Sequence, residues 1–510
     1  MRQVASLLSI ESLEPRSPVQ IFHKLAINKS GWIASIGLLV TSGSAQDRIL
    51  PELPQATTPV TLVAASDPVT GKSEFRYRGN DTPPVIRVQP GSVLKVEYKN
   101  ELTTHSKEEC VGHPCMNMTN LHFHGLHVSP KAPQDDVLDM MASPGETLHY
   151  SVQVPPQQPP GLYWYHTHPH GESYVQELDG MSGAIVVEGI DRYVPEVLKM
   201  RERILVLREL VLPSDMAERK NVMESVAMPT TQCGTAPNNP NRVFTVNGSL
   251  RPQIDIAPGE RQFWRIVNAS PDRYADLQLD SGPFDVVALD GIPLAYHNPS
   301  NRKRSMSHIL VPPAGRVEAI VSGPSTDSHA ALRSLCFDTG PDGDSNPAMV
   351  LADIVSAPQS IVESRPALGG EPVHVIFPAN ALKRAKESEP QFVVTFTEDK
   401  QGFYINGQKF EMNSGPMLTV DVGSLQHWRV INPTREVHPF HIHQVHFLVY
   451  AVDKNPVKDP VWVDTVNVSY GGSVDLVMDF TDPIIRGMSL FHCHLLNHED
   501  KGMMAKILFQ

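Results

Sequence analysis

One short run near the end of the chain gathers several side chains that bind transition metals. Residues 491–504 read Phe-His-Cys-His-Leu-Leu-Asn-His-Glu-Asp-Lys-Gly-Met-Met, and the thiol of Cys493 stands between two histidines. His498 follows five residues after this thiol, and Met503 five residues after that. Because successive side chains of a strand point to opposite faces, a strand ending here would present sulfur on one face and two imidazoles on the other.

These ligand types predict a copper site. Thiolate sulfur, imidazole nitrogen and a distant methionine are the ligands of blue-copper electron-transfer sites. A surface histidine cluster or a structural zinc site is the alternative. Structural zinc sites commonly use paired cysteines, whereas this run has one.

Three further histidine-rich segments share a spacing with the first. Each contains a His-X-His pair, and the four pairs are His122/His124, His166/His168, His441/His443 and His492/His494. Residues two apart in a strand share a face, so each pair presents two nitrogens together. The pairs supply eight imidazoles. Three copper ions, one with two histidine ligands and two with three each, would use all of them.

With all four motifs present, the chain over about residues 50–510 resembles the three-domain multicopper oxidases of the laccase type. The resemblance implies an all-β fold of three consecutive cupredoxin-like Greek-key β-barrel domains. It also implies a copper-dependent oxidoreductase with O2 as the electron acceptor. Such an enzyme holds four copper ions, one of type 1, one of type 2 and two of type 3.

The motifs of that family assign a ligand set to each copper. The type 1 copper would take His438, Cys493 and His498, with Met503 as a long axial ligand and Met504 as the alternative. The resemblance assigns the others as follows: His122 and His441 to type 2, and His124, His166, His168, His443, His492 and His494 to the type 3 pair. Extra histidines at 127, 170 and 446 lie beside these motifs, and we expect them to contact ligands or solvent rather than copper.

Three residues are candidates for catalytic roles besides copper binding itself. Asp135 follows the first motif, where an Asp assists proton delivery in similar bacterial enzymes, and Asp136 stands where relatives often have Asn. Glu499 directly follows His498 and matches a second acidic position of similar laccases. For Asp135 the alternative is a solvated loop carboxylate, and for Glu499 it is an exposed side chain with a structural role. Cys493 would connect the type 1 copper to the cluster through its two neighbours.

An internal repeat predicts the domain organisation. Pro84, Pro252 and Pro416 each stand seven residues before a Gly and sixteen before an Asn. Apolar residues alternate between them, which predicts a strand, a turn and a second strand in every copy. The predicted limits are a tail with an export signal at 1–45, a first domain with two His pairs at 46–190, a second domain without copper ligands at 191–365, and a third domain with the type 1 copper and two His pairs at 366–510.

The distribution of the His pairs predicts where the copper cluster lies. Because the first and third domains carry all four pairs, we expect the cluster at their interface. In the second domain, the Pro- and Asn-rich stretch at about 213–241 is predicted to be a polar loop.

Composition is consistent with this fold and excludes some partners. The 510 residues include 45 Pro and 33 Gly, and only 19% are charged, which suits short strands joined by turns better than long helices. A net charge of −13 argues against binding of nucleic acid, which requires a basic surface.

The N-terminal segment and the cysteines predict an exported protein. A basic flank at Lys24 and Lys29, an apolar run at 32–40 and small residues ending at Ala45 are typical of an export signal. The run is too short to span a membrane. We therefore predict a periplasmic or secreted protein. In such an oxidising compartment the remaining cysteines can form two disulfides, with Cys110–Cys115 the favoured pair and free thiols as the alternative.

Three functions compete. The first is a laccase-like oxidase that takes single electrons from phenols or aromatic amines. The second is a metallo-oxidase of Cu(I), Fe(II) or Mn(II), disfavoured because the third domain lacks a methionine-rich segment. The third is a structural relative without turnover, and the full set of ligand positions argues against it. A copper nitrite reductase would lack the extra His pairs.

Overall fold

The structure is a computed structural model that describes residues 49–103, 117–229, 232–324, 329–356, 367 and 369–510. Three consecutive cupredoxin-like β-barrel domains follow one another, as predicted. The predicted export segment and the pair Cys110 and Cys115 lie outside the described residues. Among the described residues, no helix is long and apolar enough to cross a membrane.

The first domain is a barrel of two sheets. Its strands are β1 (Gln55–Thr57), β2 (Val60–Ser66), β3 (Ser73–Arg76), β4 (Val85–Val88), β5 (Val93–Glu101), β6 (His122–His124), β7 (Thr147–Gln153), β8 (Gly161–His166) and β9 (Ser182–Val187), with one short helix, α1 (Ser173–Leu178). The sheet orders are β1-β4-β9-β8-β6 and β3-β2-β5-β7.

The second domain repeats this plan. Its strands are β10 (Arg201–Val211), β11 (Arg242–Val246), β12 (Gln253–Asp255), β13 (Arg261–Asn268), β14 (Ala275–Leu279), β15 (Phe284–Leu289), β16 (Ile292–Pro293), β17 (Arg304–Met306), β18 (His308–Val311), β19 (Arg316–Ser322), β20 (Ala330–Leu335) and β21 (Met349–Val355). Its helices are α2 (Met216–Ser225) and α3 (Leu294–His297), and 3-10 turns at Ile190–Arg192 and Pro195–Lys199 lead into it. The sheet orders are β11-β10-β13-β19-β15-β16, with β17 on β15, and β12-β21-β20-β14-β18.

The third domain closes the chain. Its strands are β22 (Phe392–Asp399), β23 (Gly402–Ile405), β24 (Leu418–Val420), β25 (Ser424–Asn432), β26 (His438–Ile442), β27 (Phe447–Val452), β28 (Asn455–Val463), β29 (Thr465–Val468), β30 (Gly472–Phe480), β31 (Gly487–Cys493) and β32 (Met504–Phe509). Its helices are α4 (Ala379–Glu387) and α5 (Leu496–Asp500), with a 3-10 turn at Pro483–Ile485. The sheet orders are β23-β22-β25-β30-β27-β28 and β24-β32-β31-β26-β29.

The repeated asparagine has the same buried role in every domain. Asn100, Asn268 and Asn432 each accept a hydrogen bond on Oδ1 from the backbone N–H two residues later, at 3.0, 3.3 and 3.1 Å. Each side-chain amide donates to two backbone carbonyls. An unsatisfied buried polar group costs about 1–3 kcal/mol, so this residue is needed where the strand leaves the sheet.

A tight turn precedes each copy of the repeat. Arg78, Asn247 and Asn406 have φ values of 51°, 51° and 50°, and a glycine with positive φ follows each of them. Two successive left-handed residues are the geometry of a type I′ hairpin turn, for which Asn-Gly is the strongest sequence signal. The strands that enter these turns are β3, β11 and β23, and they pair with β2, β10 and β22. They belong to the sheet of the repeat's second strand, because β2, β10 and β22 run parallel to β5, β13 and β25.

One element of the second domain differs from the sequence prediction. The stretch predicted as a polar loop contains α2, whose N-cap Asp215 accepts from the backbone N–H groups of Ala217 and Glu218. Only Val222 of this helix is buried. The helix therefore lacks the apolar stripe by which a sequence pattern reveals a helix.

Candidate copper centres

Strand register brings the histidine pairs of each outer domain together. In the first domain His122 on β6 lies opposite His166 on β8. In the third domain His441 on β26 lies opposite His492 on β31. Directly opposed residues of antiparallel strands lie about 4.5–5.5 Å apart at Cβ, so each sheet edge carries its four imidazoles as one group.

Two face-to-face stacks join these groups across the domain boundary. The ring centroids of His122 and His443 are 3.9 Å apart, with planes 16° from parallel. Those of His124 and His441 are 4.0 Å apart, also at 16°. The first and third domains therefore meet at their histidines, as the sequence predicts.

The other imidazoles complete a shell around the same point. His168 lies 5.0 Å from His443 and 5.3 Å from His492, between ring centroids. His494 lies 5.1 Å from His124 and 5.6 Å from His166. The Nε2 atoms of His443 and His492 face each other at 3.1 Å. All eight imidazoles are buried.

Most of these rings have one nitrogen that donates to an oxygen. His122 Nδ1 lies 3.0 Å from a carboxylate oxygen of Asp135. The carbonyl oxygens that accept from Nδ1 of His166, His441 and His492 belong to Thr167, Asp464 and Cys493, at 3.0, 2.8 and 3.0 Å. His124 uses Nε2, which lies 3.2 Å from Asp464 Oδ1. A donor on one nitrogen leaves a lone pair on the other, the form in which histidine binds metal.

The opposite nitrogens are buried and unpaired. His122 Nε2, His124 Nδ1, His166 Nε2 and His441 Nε2 have no hydrogen-bond partner among the described residues. A buried polar atom without a partner costs about 1–3 kcal/mol, so several that converge at one point are typical of a site that binds a ligand. Burial lowers the pKa of His124, His168 and His443, and neighbouring imidazoles lower it further. Neutral, converging nitrogens fit a cluster of copper ions.

A second group contains the sulfur. Cys493 Sγ lies 3.5 Å from His438 Nδ1, which lies 3.2 Å from His498 Nδ1. Thr434 Oγ1 lies 2.9 Å from Nε2 of His438, so Nδ1 is left to face the sulfur. Burial raises the pKa of the Cys493 thiol, and a bound cation would be needed to hold the thiolate.

Two contacts shape this group. The backbone N–H of Leu495 donates to Cys493 Sγ at 3.5 Å. Phe403 stacks on His498, with centroids 3.9 Å apart. These contacts fix the orientation of the Cys493 thiol and of the His498 imidazole.

The two adjacent methionines pack differently. Met503 is fully buried in the hydrophobic cluster that contains Cys493. Met504 packs in a separate cluster with Val137, Leu138 and Leu490. Met503 therefore packs on the side of the sulfur, which favours it over Met504 as the axial residue.

Comparisons with known proteins agree with this geometry. Two family models described as "Multicopper oxidase" match residues 68–191 and 383–510. The chain is 24% identical to "Multicopper oxidase mco" of Staphylococcus aureus, over 86% of each chain. It is 25% identical to "Laccase" of Bacillus subtilis, over 70% of this chain and 72% of that one.

A solved structure extends the likeness over the whole fold. "Multicopper oxidase from Campylobacter jejuni: a metallo-oxidase" superposes with a TM-score of 0.68 at 23% identity, covering 91% of this chain and 95% of that one. The chain belongs to the multicopper oxidase family. It is therefore a copper-dependent oxidoreductase that uses O2, and the family resemblance drawn from the motifs is confirmed.

Asp135 of the oxidase is a buried carboxylate rather than a solvated one. It accepts from His122 Nδ1, from the backbone N–H of Phe123 at 2.9 Å and from Gln444 Nε2 at 2.7 Å. Gln444 belongs to the third domain, so Asp135 receives hydrogen bonds from both outer domains. Asp136 instead accepts from backbone N–H groups of its own loop, including that of Asp139 at 3.0 Å.

Glu499 is also buried and lies against the cluster. Its Oε2 is 3.0 Å from His492 Nδ1, and its Oε1 is 3.5 Å from His168 Nε2. Burial raises its pKa, and the nearby carboxylates of Asp500 and Glu177 add to the effect. A carboxyl that keeps its proton beside two imidazoles can deliver it there.

Two carboxylates at the cluster carry no signal in the sequence. Asp464 lies beside His124 and His441. Arg316 of the second domain donates two hydrogen bonds to it, at 2.6 Å to Oδ2 and 2.7 Å to Oδ1. Burial alone would raise the pKa of Asp464, but Arg316 holds it below its usual range. Glu177 on α1 lies 3.3 Å from His166 Nδ1. Neither residue lies within a histidine motif, so only the fold reveals them.

A cavity of about 210 Å³ reaches His498 between the second and third domains. Its wall includes more acidic than basic side chains, namely Glu209, Asp272, Asp342, Asp344 and Glu436 against Arg242 and Arg273. Glu436 Oε2 lies 3.5 Å from His498 Nε2. Burial raises the pKa of Glu436 to about 9, and Asp344 and Glu398 contribute. This cavity is where a reductant can approach the sulfur site.

Proposed function

We propose that the oxidase holds four copper ions, takes single electrons from phenols or aromatic amines at a type 1 copper, and reduces O2 to water at a trinuclear cluster. The observation that carries this proposal is the convergence of buried, unpaired imidazole nitrogens from two domains. When bound, the coppers supply one-electron redox chemistry and a site for O2. The side chains orient, insulate and supply protons to that site.

The ligand assignment follows the motifs. His438, Cys493 and His498 would hold the type 1 copper, with Met503 as axial ligand. His122 and His441 would hold type 2. The type 3 pair would take His124, His166, His168, His443, His492 and His494. The stacks of His122 on His443 and of His124 on His441 support a shared cluster, because each stack pairs imidazoles of different domains.

The backbone of β31 supplies the link between the two sites. Cys493 points to the sulfur group, while its covalent neighbours His492 and His494 point to the cluster. With copper bound at both sites, Cys493 and either adjacent residue would provide a covalent path between them. No mobile carrier is required.

Asp135 and Glu499 would serve proton delivery from opposite sides. Asp135 accepts from His122, a type 2 ligand, whereas Glu499 contacts His168 and His492, both type 3 ligands. Positioned general acids and bases typically contribute about 10²–10⁴-fold. One carboxylate would thus serve the type 2 side of the cluster and the other the type 3 side.

The acidic cavity favours a second candidate, a reduced metal ion such as Cu(I), Fe(II) or Mn(II). Carboxylates in its wall such as Asp342 and Asp344 would attract a cation, and Glu436 next to His498 could bind one in exchange for its proton. The similar protein of Campylobacter jejuni is described as a metallo-oxidase. Aromatic amines that carry positive charge would benefit from the same wall, so the cavity alone does not separate the two reductants.

Oxygen uptake under steady-state conditions separates them. A set of phenols and aromatic amines is compared with Fe(II), Mn(II) and Cu(I) at equal concentration, with copper-loaded protein. Uptake with organic reductants supports the laccase-like proposal. If only metal ions support uptake, the second candidate replaces it, and protein that binds no copper refutes both.

We also propose a periplasmic or secreted location. The disulfide between Cys233 and Cys336, whose Cα atoms are 5.7 Å apart, supports an oxidising compartment. Fractionation of cells that express the full chain, probed with an antibody, tests this. Recovery of the protein in the cytosolic fraction would contradict it.

A further inference from the structure

A histidine pair outside the predicted ligand set crosses the boundary between the first and third domains. His127 Nε2 lies 2.6 Å from His446 Nδ1. His446 Nε2 lies 2.9 Å from the backbone oxygen of Asp290 in the second domain. A carbonyl oxygen can only accept, so His446 carries its proton on Nε2 and accepts on Nδ1. His127 is therefore the donor. The bond between the two histidines connects the first and third domains, and the bond from His446 to Asp290 reaches the second domain.

The pair lies beside the proposed copper ligands without belonging to them. His127 follows His124 by three residues, and His446 follows His443 by three. Gln444, between His443 and His446, donates to Asp135 of the first domain. The segment that follows His443 is thus attached to the first domain at two points, by one hydrogen bond from Gln444 and one to His446.

This turn needs such support. Gln444 has a φ of 63°, a left-handed conformation that non-glycine residues seldom adopt. Conformations of this kind cost about 1–3 kcal/mol and persist only where surrounding contacts hold them. The stack of His122 on His443 depends on the turn, because His443 immediately precedes Gln444.

Burial keeps the pair neutral. It lowers the pKa of His127 to about 3 and that of His446 to about 4, and the ring of His446 further disfavours a proton on His127. Asp464 Oδ2 lies 3.3 Å from His446 Nε2, but Arg316 pairs with that carboxylate. Asp482 also faces His127. Two neutral rings can form the single donor–acceptor bond that the geometry requires.

We propose that the hydrogen bond between His127 and His446 is a clamp that sets the spacing of the copper-binding segments of the first and third domains. The clamp thereby determines how tightly the trinuclear cluster holds its copper. This inference rests on the proposed function, since it assumes a cluster between those segments. Partners behind metal ligands typically change metal affinity by about 10–100-fold when they are lost.

Matched substitutions separate the hydrogen bond from the volume of the ring. His127→Gln keeps a donor near the position of Nε2, whereas His127→Leu removes it. His446→Asn keeps an acceptor near the position of Nδ1, whereas His446→Gln moves the polar group beyond it. The two residues therefore give two independent pairs of variants, one conservative and one disruptive in each pair.

The experiment measures copper per protein after timed dialysis against a chelator, together with the electron paramagnetic resonance of type 2 copper. We expect His127→Leu and His446→Gln to bind cluster copper about 10–100-fold more weakly, while the blue absorption of type 1 copper persists. We expect His127→Gln and His446→Asn to remain near the unsubstituted protein. Thermal unfolding of the copper-free variants reports general damage to the fold.

Each outcome decides a separate point. Retention of cluster copper by both disruptive variants would overturn the clamp, as would equal loss in all four variants. If His127→Leu does not fold, the comparison of His446→Gln with His446→Asn still decides. Unsubstituted protein that binds far fewer than about four coppers would refute the proposed function instead.

Discussion

The imidazole of His122 stacks on that of His443, with ring centroids 3.9 Å apart, although their positions in the chain differ by 321. One ring comes from the first domain and the other from the third. Each of these domains supplies half of the converging imidazoles, so neither domain alone can build the cluster. The second domain contributes Arg316, which holds Asp464 in place behind His124 and His441.

Replacing the sulfur ligand tests the type 1 assignment. We expect Cys493→Ser to lose the blue colour and turnover, because a hydroxyl cannot supply the thiolate that a blue-copper site requires. Copper per protein should fall by about one. The copper-free variant should unfold within a few degrees of the unsubstituted protein, because the substitution keeps the volume of a buried side chain. A variant that stays blue would show that another residue holds this copper.

Asp135 gives a prediction about orientation. Asp135→Ala leaves His122 Nδ1, Phe123 N–H and Gln444 Nε2 without their shared acceptor. We expect kcat to fall by about 10–100-fold and the type 2 resonance signal to change, because the ring of His122 can turn. The KM for the reductant, which binds at the other site, should stay the same. An unchanged type 2 signal would argue against this role.

Glu499 gives a prediction about protons. We expect Glu499→Gln to slow turnover by about 10²-fold, since the amide keeps the shape of the carboxyl but cannot deliver a proton. Anaerobic reduction of type 1 copper, followed by its colour, should proceed at the original rate. Slowed reduction of type 1 copper would instead assign Glu499 to electron entry near His498.

Glu436 distinguishes the two classes of reductant. We expect Glu436→Gln to raise the KM for Fe(II) by about tenfold, corresponding to about 1.4 kcal/mol, because Fe(II) can displace the proton of this buried carboxyl whereas the amide offers no carboxylate. A neutral phenol should be affected little. Asp344→Asn is the matched control, because that side chain lines the same cavity but is 65% exposed. Equal effects of both substitutions would indicate general attraction by the acidic wall rather than a specific contact.

Much of the fold and site was predictable because local patterns carried it. The asparagines at 100, 268 and 432 mark three homologous domains, since each makes the same buried contacts. His-X-His spacing predicted which imidazoles would meet, because strand geometry places both members of a pair on one face. The role of each ligand toward a particular copper stays a prediction.

The rest depends on contacts between distant segments. Asp464 and Glu177 reach the cluster only because strands of different sheets and domains pack together, and no spacing within the chain marks them. The helix α2 was missed because only Val222 of it is buried. The pairing of Cys233 with Cys336, 103 residues apart, likewise follows from the packed domain and not from local pattern.

The clamp histidines also predict a pH dependence of stability. Burial lowers the pKa of His446 from an ordinary value near 6.5 to about 4, so between these values the unfolded chain binds more protons than the folded one. The contribution of His446 to the free energy of unfolding is therefore fully present above about pH 6.5, and it is lost as the pH falls through about 4. At about 1.4 kcal/mol for each pKa unit, the loss is roughly 3 kcal/mol.

Urea unfolding of copper-free protein at several pH values between about 7 and 4 measures this loss. His446→Asn removes the titrating group, whereas buried histidines that His446 does not influence titrate equally in both proteins and cancel in the comparison. The difference in unfolding free energy between the unsubstituted protein and the variant should therefore shrink by roughly 3 kcal/mol toward pH 4. A difference that is independent of pH would show that His446 does not carry a depressed pKa in the folded state.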